Sequence, residues 1–275
     1  MKMDRPVRIG VLGGGGIFGA HAPGFKAVGE ACDVVAVAEP QADRHQRIRD
    51  LVGNDVRIVS DYRDVLAMDD VDAVDILLPH HLHETAPVAA AQAGKAGVTK
   101  KVMARNVAEC DRMIDACDRA GVTLTIAHDR RYGGVWEAMK KLLDTGALGD
   151  VFYWKLEHNQ NVLFPPGHWG RTADGLGGGA IMSCLTHQID ALRWYAGEAE
   201  AVTCISAVLP ERMEGETVGV VAARMRSSAV ANLSINWFTN SHIGQDDLWY
   251  EMVQACGRRG EAYFTSNRGD LRVRL

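Results

Sequence analysis

Apolar residues follow two different textures along this chain. Up to about residue 128, short runs rich in Val and Ile, at 7–13, 32–39, 56–60, 73–79, 97–102 and 122–128, alternate with stretches of helical spacing. Strand runs that are almost continuously apolar have no wet face, so helices are expected to cover both sides of a parallel sheet. The stretch 106–121 has apolar residues at helical spacing and stops at Gly121, and an Ala-rich stretch at 83–95 is ended by Gly94. Residues 1–128 therefore predict a doubly wound, Rossmann-like α/β domain. Beyond them come a helix over 134–146, a strand over 150–160, a loop rich in Pro, Gly, His and Trp, and a helix after the glycines at 177–179. The runs "AVTCISAVL", "TVGVVAARMR", "SAVANLSINWF", "LWYEMVQACG" and "RGEAYFTS" follow, some separated by hairpin turns. Residues 129–275 thus predict an α+β domain with an open, mostly antiparallel sheet.

Charge and cysteine content narrow the setting. A net charge of -5 with interspersed signs lacks the basic face that nucleic acid requires. The six cysteines (32, 110, 117, 184, 204 and 256) have no metal-ligand spacing, which reads as a reduced, cytoplasmic protein. The basic and then apolar start resembles a signal peptide, but four glycines at 13–16 interrupt it, so it is read as a first strand and turn. No run is long enough to span a membrane.

The segment "VLGGGGIFGAH" follows a strand and opens a helix, the context in which glycines let backbone N–H groups approach a pyrophosphate. Two registers are open. Gly14, Gly16 and Gly19 satisfy GxGxxG, whereas Gly13 and Gly15 place Phe18 third; Ile17 lies inside the turn in both. Glu39, at the end of the second strand, is placed to accept hydrogen bonds from ribose hydroxyls. Pro40 and Gln41 supply no cation for a 2′-phosphate, so NAD is expected over NADP.

With "LLPHHLHETAPVAAAQAGK", "IAHDRRY", "TGALGDVFYWK" and "GGGAIMSCLTHQID" in order, the chain resembles the Gfo/Idh/MocA family of NAD(P)-dependent oxidoreductases. The resemblance implies a Rossmann domain and an open-faced sheet domain. It implies hydride transfer between nicotinamide and a secondary alcohol of a sugar or cyclic polyol, and homo-oligomers formed through the sheet. The family's C-terminal strand and helices are missing, so the chain is expected to be a truncation or an unusually short member.

The family's Glu-Lys-Pro signature falls on Lys100, Lys101 and Val102. Lys101 matches the lysine, which polarises the carbinol oxygen and relays its proton, and which also adjoins the cofactor. Strand alternation sends Lys100 to the opposite face as a solvated neighbour; a one-residue slip exchanges the two roles. The family's carboxylate and histidine, four residues apart, fall on Ser183 and His187. His187 is suited to exchange the carbinol proton, while Ser183 supplies no negative charge and is left to bind substrate. Asp190 either orients His187 or ends a helical face.

Pro79, His80 and His83 follow the fourth strand, and the resemblance puts them along the nicotinamide ribose. Their imidazoles, with His81, have no carboxylate or cysteine partner, so no metal is expected. Arg131, Tyr132, His168 and Trp169 are candidates for a polar substrate pocket, with packing an equal reading for Trp169. Two rivals stay open: a catalytically impaired cofactor- or sugar-binding protein of the same fold, and an assembly role for the sheet.

Overall fold

The computed structural model describes residues 5–238, 249–266 and 269–275. The chain divides into two compact units, residues 1–127 and 128–275.

The first unit runs β1 (Val7–Leu12), α1 (Phe18–Ala27), β2 (Cys32–Ala38), α2 (His45–Val52), β3 (Arg57–Val59), α3 (Tyr62–Leu66), β4 (Ala73–Ile76), α4 (Thr85–Gln92), β5 (Ala96–Lys100), α5 (Val107–Ala120) and β6 (Leu124–Ala127). Its six strands lie in the order β3-β2-β1-β4-β5-β6, and every pair is parallel. The runs without alternation thus form a parallel sheet, as expected. Burial deepens toward the carboxyl ends of β1, β2 and β4, where Leu12, Val37 and Ile76 are closed off from solvent. Strand order reverses at β1, between β2 and β4, which opens a crevice at those carboxyl ends.

Local capping fixes the helix after β5. The Asn106 carboxamide oxygen accepts the Glu109 N–H at 3.0 Å, and Glu109 accepts the Arg105 backbone N–H at 2.9 Å. Gly121, at φ +66°, ends α5 in the left-handed conformation. Removing such an N-cap typically costs about 1 kcal/mol.

The second unit runs α6 (Gly134–Asp144), β7 (Val151–Gln160), α7 (Ala173–Leu176), a π-helical segment (Ile181–Leu185), α8 (Thr186–Ala196), β8 (Ala199–Ala207), β9 (Val218–Met225), β10 (Val230–Asn236), β11 (Trp249–Gly257), β12 (Glu261–Thr265) and β13 (Arg272–Arg274). The expected run "LWYEMVQACG" begins at Leu248, outside the described residues, so β11 is described from Trp249. The sheet order is β13-β12-β11-β7-β10-β9-β8, antiparallel throughout except for β7 beside β10.

Alternation sorts this sheet into two faces. Trp154, Leu156, Leu233, Ile235, Val253 and Ala255 point inward and form one core with Trp136 and Met139 of α6 and Ala191 and Leu192 of α8. β8 is exposed along its whole length, with Ile205 81% accessible. His158 of β7 and Glu251 of β11 are direct register partners and are as buried as their apolar neighbours. Placing a polar pair at the end of an apolar inner face requires that the two satisfy each other.

Candidate active site

In the first unit the candidate site is built from backbone. β1 ends in Gly13, whose N–H donates to the Ala38 carbonyl and whose φ is +110°. A Cβ there would stand 2.9 Å from the Leu77 carbonyl oxygen, and one at Gly14 would stand 2.5 Å from Ile48 Cδ1. Packing therefore requires glycine at both positions. Gly16 has nothing within 4 Å of where a Cβ would be, so the outer side of the turn is open. Phe18 is fully buried beneath the turn, while Ile17 is 38% exposed on it. Of the two registers, the one starting at Gly13 puts the tight-turn glycine where the left-handed φ occurs, with Phe18 taking over helix–strand packing. Tight glycines inside and open space outside fit a dinucleotide's phosphates at the start of α1.

Glu39 is only 3% exposed. Its carboxylate accepts the Gln41 N–H at 3.0 Å and the Arg44 guanidinium at 3.2 Å, and its carbonyl lies 2.9 Å from His45 Nε2. A cation does stand by Glu39, further along the chain than Pro40 and Gln41. The two residues after it supply none, but the 3-10 turn at Ala42–Arg44 brings Arg44 back onto the carboxylate.

His80 and His83 are buried, their rings 5.1 Å apart. The two ring nitrogens of His83 face backbone carbonyls, Leu78 at 2.8 Å and Val102 at 2.5 Å. Burial dominates and brings its pKa down to about 4, against those two carbonyls, with the charges of Lys100 and Lys101 adding to the depression. The ring is thus neutral at pH 7 and ties the loop after Pro79 to Val102. Lys100 ends β5 opposite Ala127, and both Lys100 and Lys101 are half-buried. The expectation of a fully solvated Lys100 is therefore revised, since its charge reaches His83 along with that of Lys101. Val102 is buried, and the Lys101–Val102 peptide is cis.

In the second unit the candidate site is built from side chains. The glycines before the π segment allow close approach: a Cβ on Gly179 would stand 2.1 Å from the Glu216 carbonyl oxygen. Glu216 in turn accepts the Gly179 and Ile181 N–H groups at 3.0 Å each. Ser183 lies within the π segment and His187 in the first turn of α8, both buried. The expected single helix is thus π-helical at its start; π turns are frequent at functional sites.

His187 Nδ1 lies 3.5 Å from Asp129, and its ring stacks on His158 at 6.3 Å with 7° between planes. Asp190 is engaged by a cation. It holds the Arg131 guanidinium through two hydrogen bonds of 2.8 and 2.6 Å. Tyr132 is 82% exposed. His168 accepts the Gly170 N–H at 3.0 Å and stacks on Phe164, while Trp169 packs against the core. Ser183, His187 and Arg131 therefore share the neighbourhood of the π segment and α8, whereas His168 and Trp169 organise their own loop.

Sequence reading missed Glu251 and the groups around it. Its carboxylate meets His158 Nδ1 at 3.1 Å, Gln188 Nε2 at 2.8 Å and Arg130 Nε at 2.9 Å. Burial alone would pull the His158 pKa down, but hydrogen bonds to Cys184 and Glu251 outweigh it and lift it to about 9. Burial likewise opposes the Glu251 charge, and His158 and Arg130 hold its pKa below the usual carboxylate range. Among the described residues, no group of three His, Cys, Asp or Glu side chains is arranged to hold a metal, and no helix is long and apolar enough to cross a membrane.

Comparisons with known proteins agree with both halves. Residues 7–128 match the model of an oxidoreductase family with an NAD-binding Rossmann fold, and residues 136–262 match the GFO/IDH/MocA C-terminal domain. The chain is 31% identical to inositol 2-dehydrogenase 3 of Saccharopolyspora erythraea over 87% of its own length and 69% of that protein's. It is 29% identical to levoglucosan dehydrogenase of Pseudarthrobacter phenanthrenivorans over 75% of its own length. It spans 55% of that relative, and about half the length of several of the curated relatives it matches. The WlbA dehydrogenase of Bordetella pertussis, solved with NADH and UDP-GlcNAcA, shares the fold at a TM-score of 0.88 and 26% identity, covering 100% of this chain and 78% of that one. With both of its units matched, the chain belongs to the Gfo/Idh/MocA family of oxidoreductases.

Proposed function

We propose that this chain is an NAD-dependent dehydrogenase acting on a secondary alcohol of a sugar or cyclic polyol. The observation that carries this reading is the buried Glu39 carboxylate beside a turn whose inner glycines are sterically required. Glu39 is the residue to hold the adenosine ribose, and Gly13, Gly14 and Gly16 the turn to receive the pyrophosphate. When bound, nicotinamide accepts or donates the hydride. Lys101 and His187 are the candidates for the carbinol oxygen and its proton, Lys101 as the cation and His187 as the base. Ser183 stands where the family has a carboxylate, and Asp129, 3.5 Å from His187 Nδ1, is the group that replaces its charge. The relatives named inositol and levoglucosan dehydrogenases support the substrate class. The open outer face around Ile205 and Val220 is the surface for a homo-oligomer in the cytoplasm.

Turnover of a polyol panel with NAD tests this reading directly. Lys101→Ala or His187→Ala should each abolish most activity, and unchanged turnover in both would sink the assignment. The second reading, cofactor binding without turnover, is favoured by Lys100, Val102 and Ser183. Under it the wild-type chain binds NADH but turns over nothing, and the triple change Lys100→Glu, Val102→Pro and Ser183→Asp restores activity.

A further inference from the structure

Cys184 lies in the π segment between Ser183 and the start of α8, three residues before His187. It is half-buried and therefore within reach of a small reagent. Its sulfur is 3.8 Å from the Ser183 hydroxyl and hydrogen-bonds His158, whose Nδ1 lies 3.1 Å from Glu251 and whose Nε2 lies 3.4 Å from Gln160 Oε1. Glu251 is itself fixed by Arg130 and Gln188. A thiol, an imidazole and a carboxylate in series are the elements of an activated sulfur nucleophile, because a protonated imidazole stabilises the thiolate. The other cysteines differ. Burial pushes the thiols of Cys32, Cys110, Cys117 and Cys256 up, and Cys204 is exposed on β8.

A second observation comes from α8. Gln188, fully buried and four residues after Cys184, spends its Nε2 on Glu251, while its Oε1 has no hydrogen-bond partner. An open acceptor on the same helical side, joined to the same carboxylate, suits the new O–H of an oxidised sulfur.

We propose that Cys184 is a modification site for small electrophiles and hydroperoxides, activated by His158 and Glu251. With a hydroperoxide, the Cys184 thiolate attacks the terminal peroxide oxygen. An S–O bond forms as the O–O bond breaks, sulfur is oxidised by two electrons, and the peroxide is reduced to an alcohol or water. The His158 imidazolium gives its proton to the departing oxygen, and the sulfenic acid is returned to thiol by an added thiol reductant. Because the sulfenic oxygen is added one turn before His187, the modification also blocks that face of the helix.

The test is iodoacetamide alkylation of the full chain at pH 7, followed cysteine by cysteine by peptide mass, so turnover plays no part in the readout. A failure of the dehydrogenase assignment would leave this result standing. Cys184 is expected to react about tenfold faster than exposed Cys204, since the His158 imidazole beside it, held by Glu251, favours the thiolate. His158→Gln should bring Cys184 to or below the Cys204 rate while buried Cys117 stays as protected as in the wild type, which serves as the control for folding. Hydrogen peroxide should add one oxygen at Cys184 that dithiothreitol removes. A wild-type Cys184 no faster than Cys204, an unchanged rate in His158→Gln, or oxygen addition only at other residues would each overturn the proposal.

Discussion

Each unit buries a histidine, and the two come out with opposite charge. His83 and His158 are both almost closed off from solvent. His83 faces two carbonyls, with two lysines nearby, and its pKa falls to about 4. His158 faces Glu251 and Cys184 against the same kind of burial, and its pKa rises to about 9. Burial penalises the cation in both places, so the difference lies in what each ring meets: carbonyl dipoles cannot offset the penalty, whereas the Cys184 sulfur and the Glu251 carboxylate together can. The contrast extends to the candidate sites. The first unit offers a rigid backbone turn with neutral imidazole support, and the second a network of buried charges around His187.

The largest expected effect comes from removing the carboxylate that, with Cys184, creates the contrast. Glu251→Ala leaves Arg130 and His158 without their shared anion and should cost about 3–5 kcal/mol of stability in denaturant unfolding. Next is the alkaline limb. His158 has a folded pKa above its unfolded 6.5, so its stabilisation is complete below pH 6.5 and is lost as pH rises through about 9. That loss amounts to about 3 kcal/mol. A melting series from pH 6.5 to 9.5 should show the decline in the wild type and a flatter profile in His158→Gln.

The acid limb has the opposite sign. His83 has a folded pKa below its unfolded 6.5, so the unfolded chain takes up a proton that the folded chain refuses as pH falls from 6.5 to about 4. Stability should drop by about 3 kcal/mol over that range, and His83→Asn should remove this part of the drop. The smallest effect is that of Asp129→Asn. Withdrawing the carboxylate 3.5 Å from His187 should lower kcat about tenfold with little change in KM, provided His187 works as a base. An unaltered kcat would leave Asp129 as a surface residue.

The pattern of residues made one of these regions legible and hid the other. The glycine turn and Glu39 are read easily because every part lies within 13–39, and backbone geometry demands particular residue types there. The parallel strands announced themselves by lacking alternation. Glu251 and His158 are 93 positions apart, and in strands such as "VFYWKLEHNQ" a polar residue is read as facing solvent unless its cross-strand partner is known. Arg44 was overlooked for a smaller-scale reason. A short 3-10 turn folds it back across five residues, beyond the immediate sequence neighbours of Glu39. Nothing in "IMSCL" distinguishes a π segment from an α-helix, so the sequence predicts a regular helix leading into α8.

The most direct test of the central claim is a fluorescence titration of NADH into the purified full chain, with Glu39→Ala alongside. Saturable binding by the wild type, weakened at least tenfold in the variant, is the expected result. The absence of saturable NADH binding by a folded wild-type chain would contradict the dehydrogenase assignment.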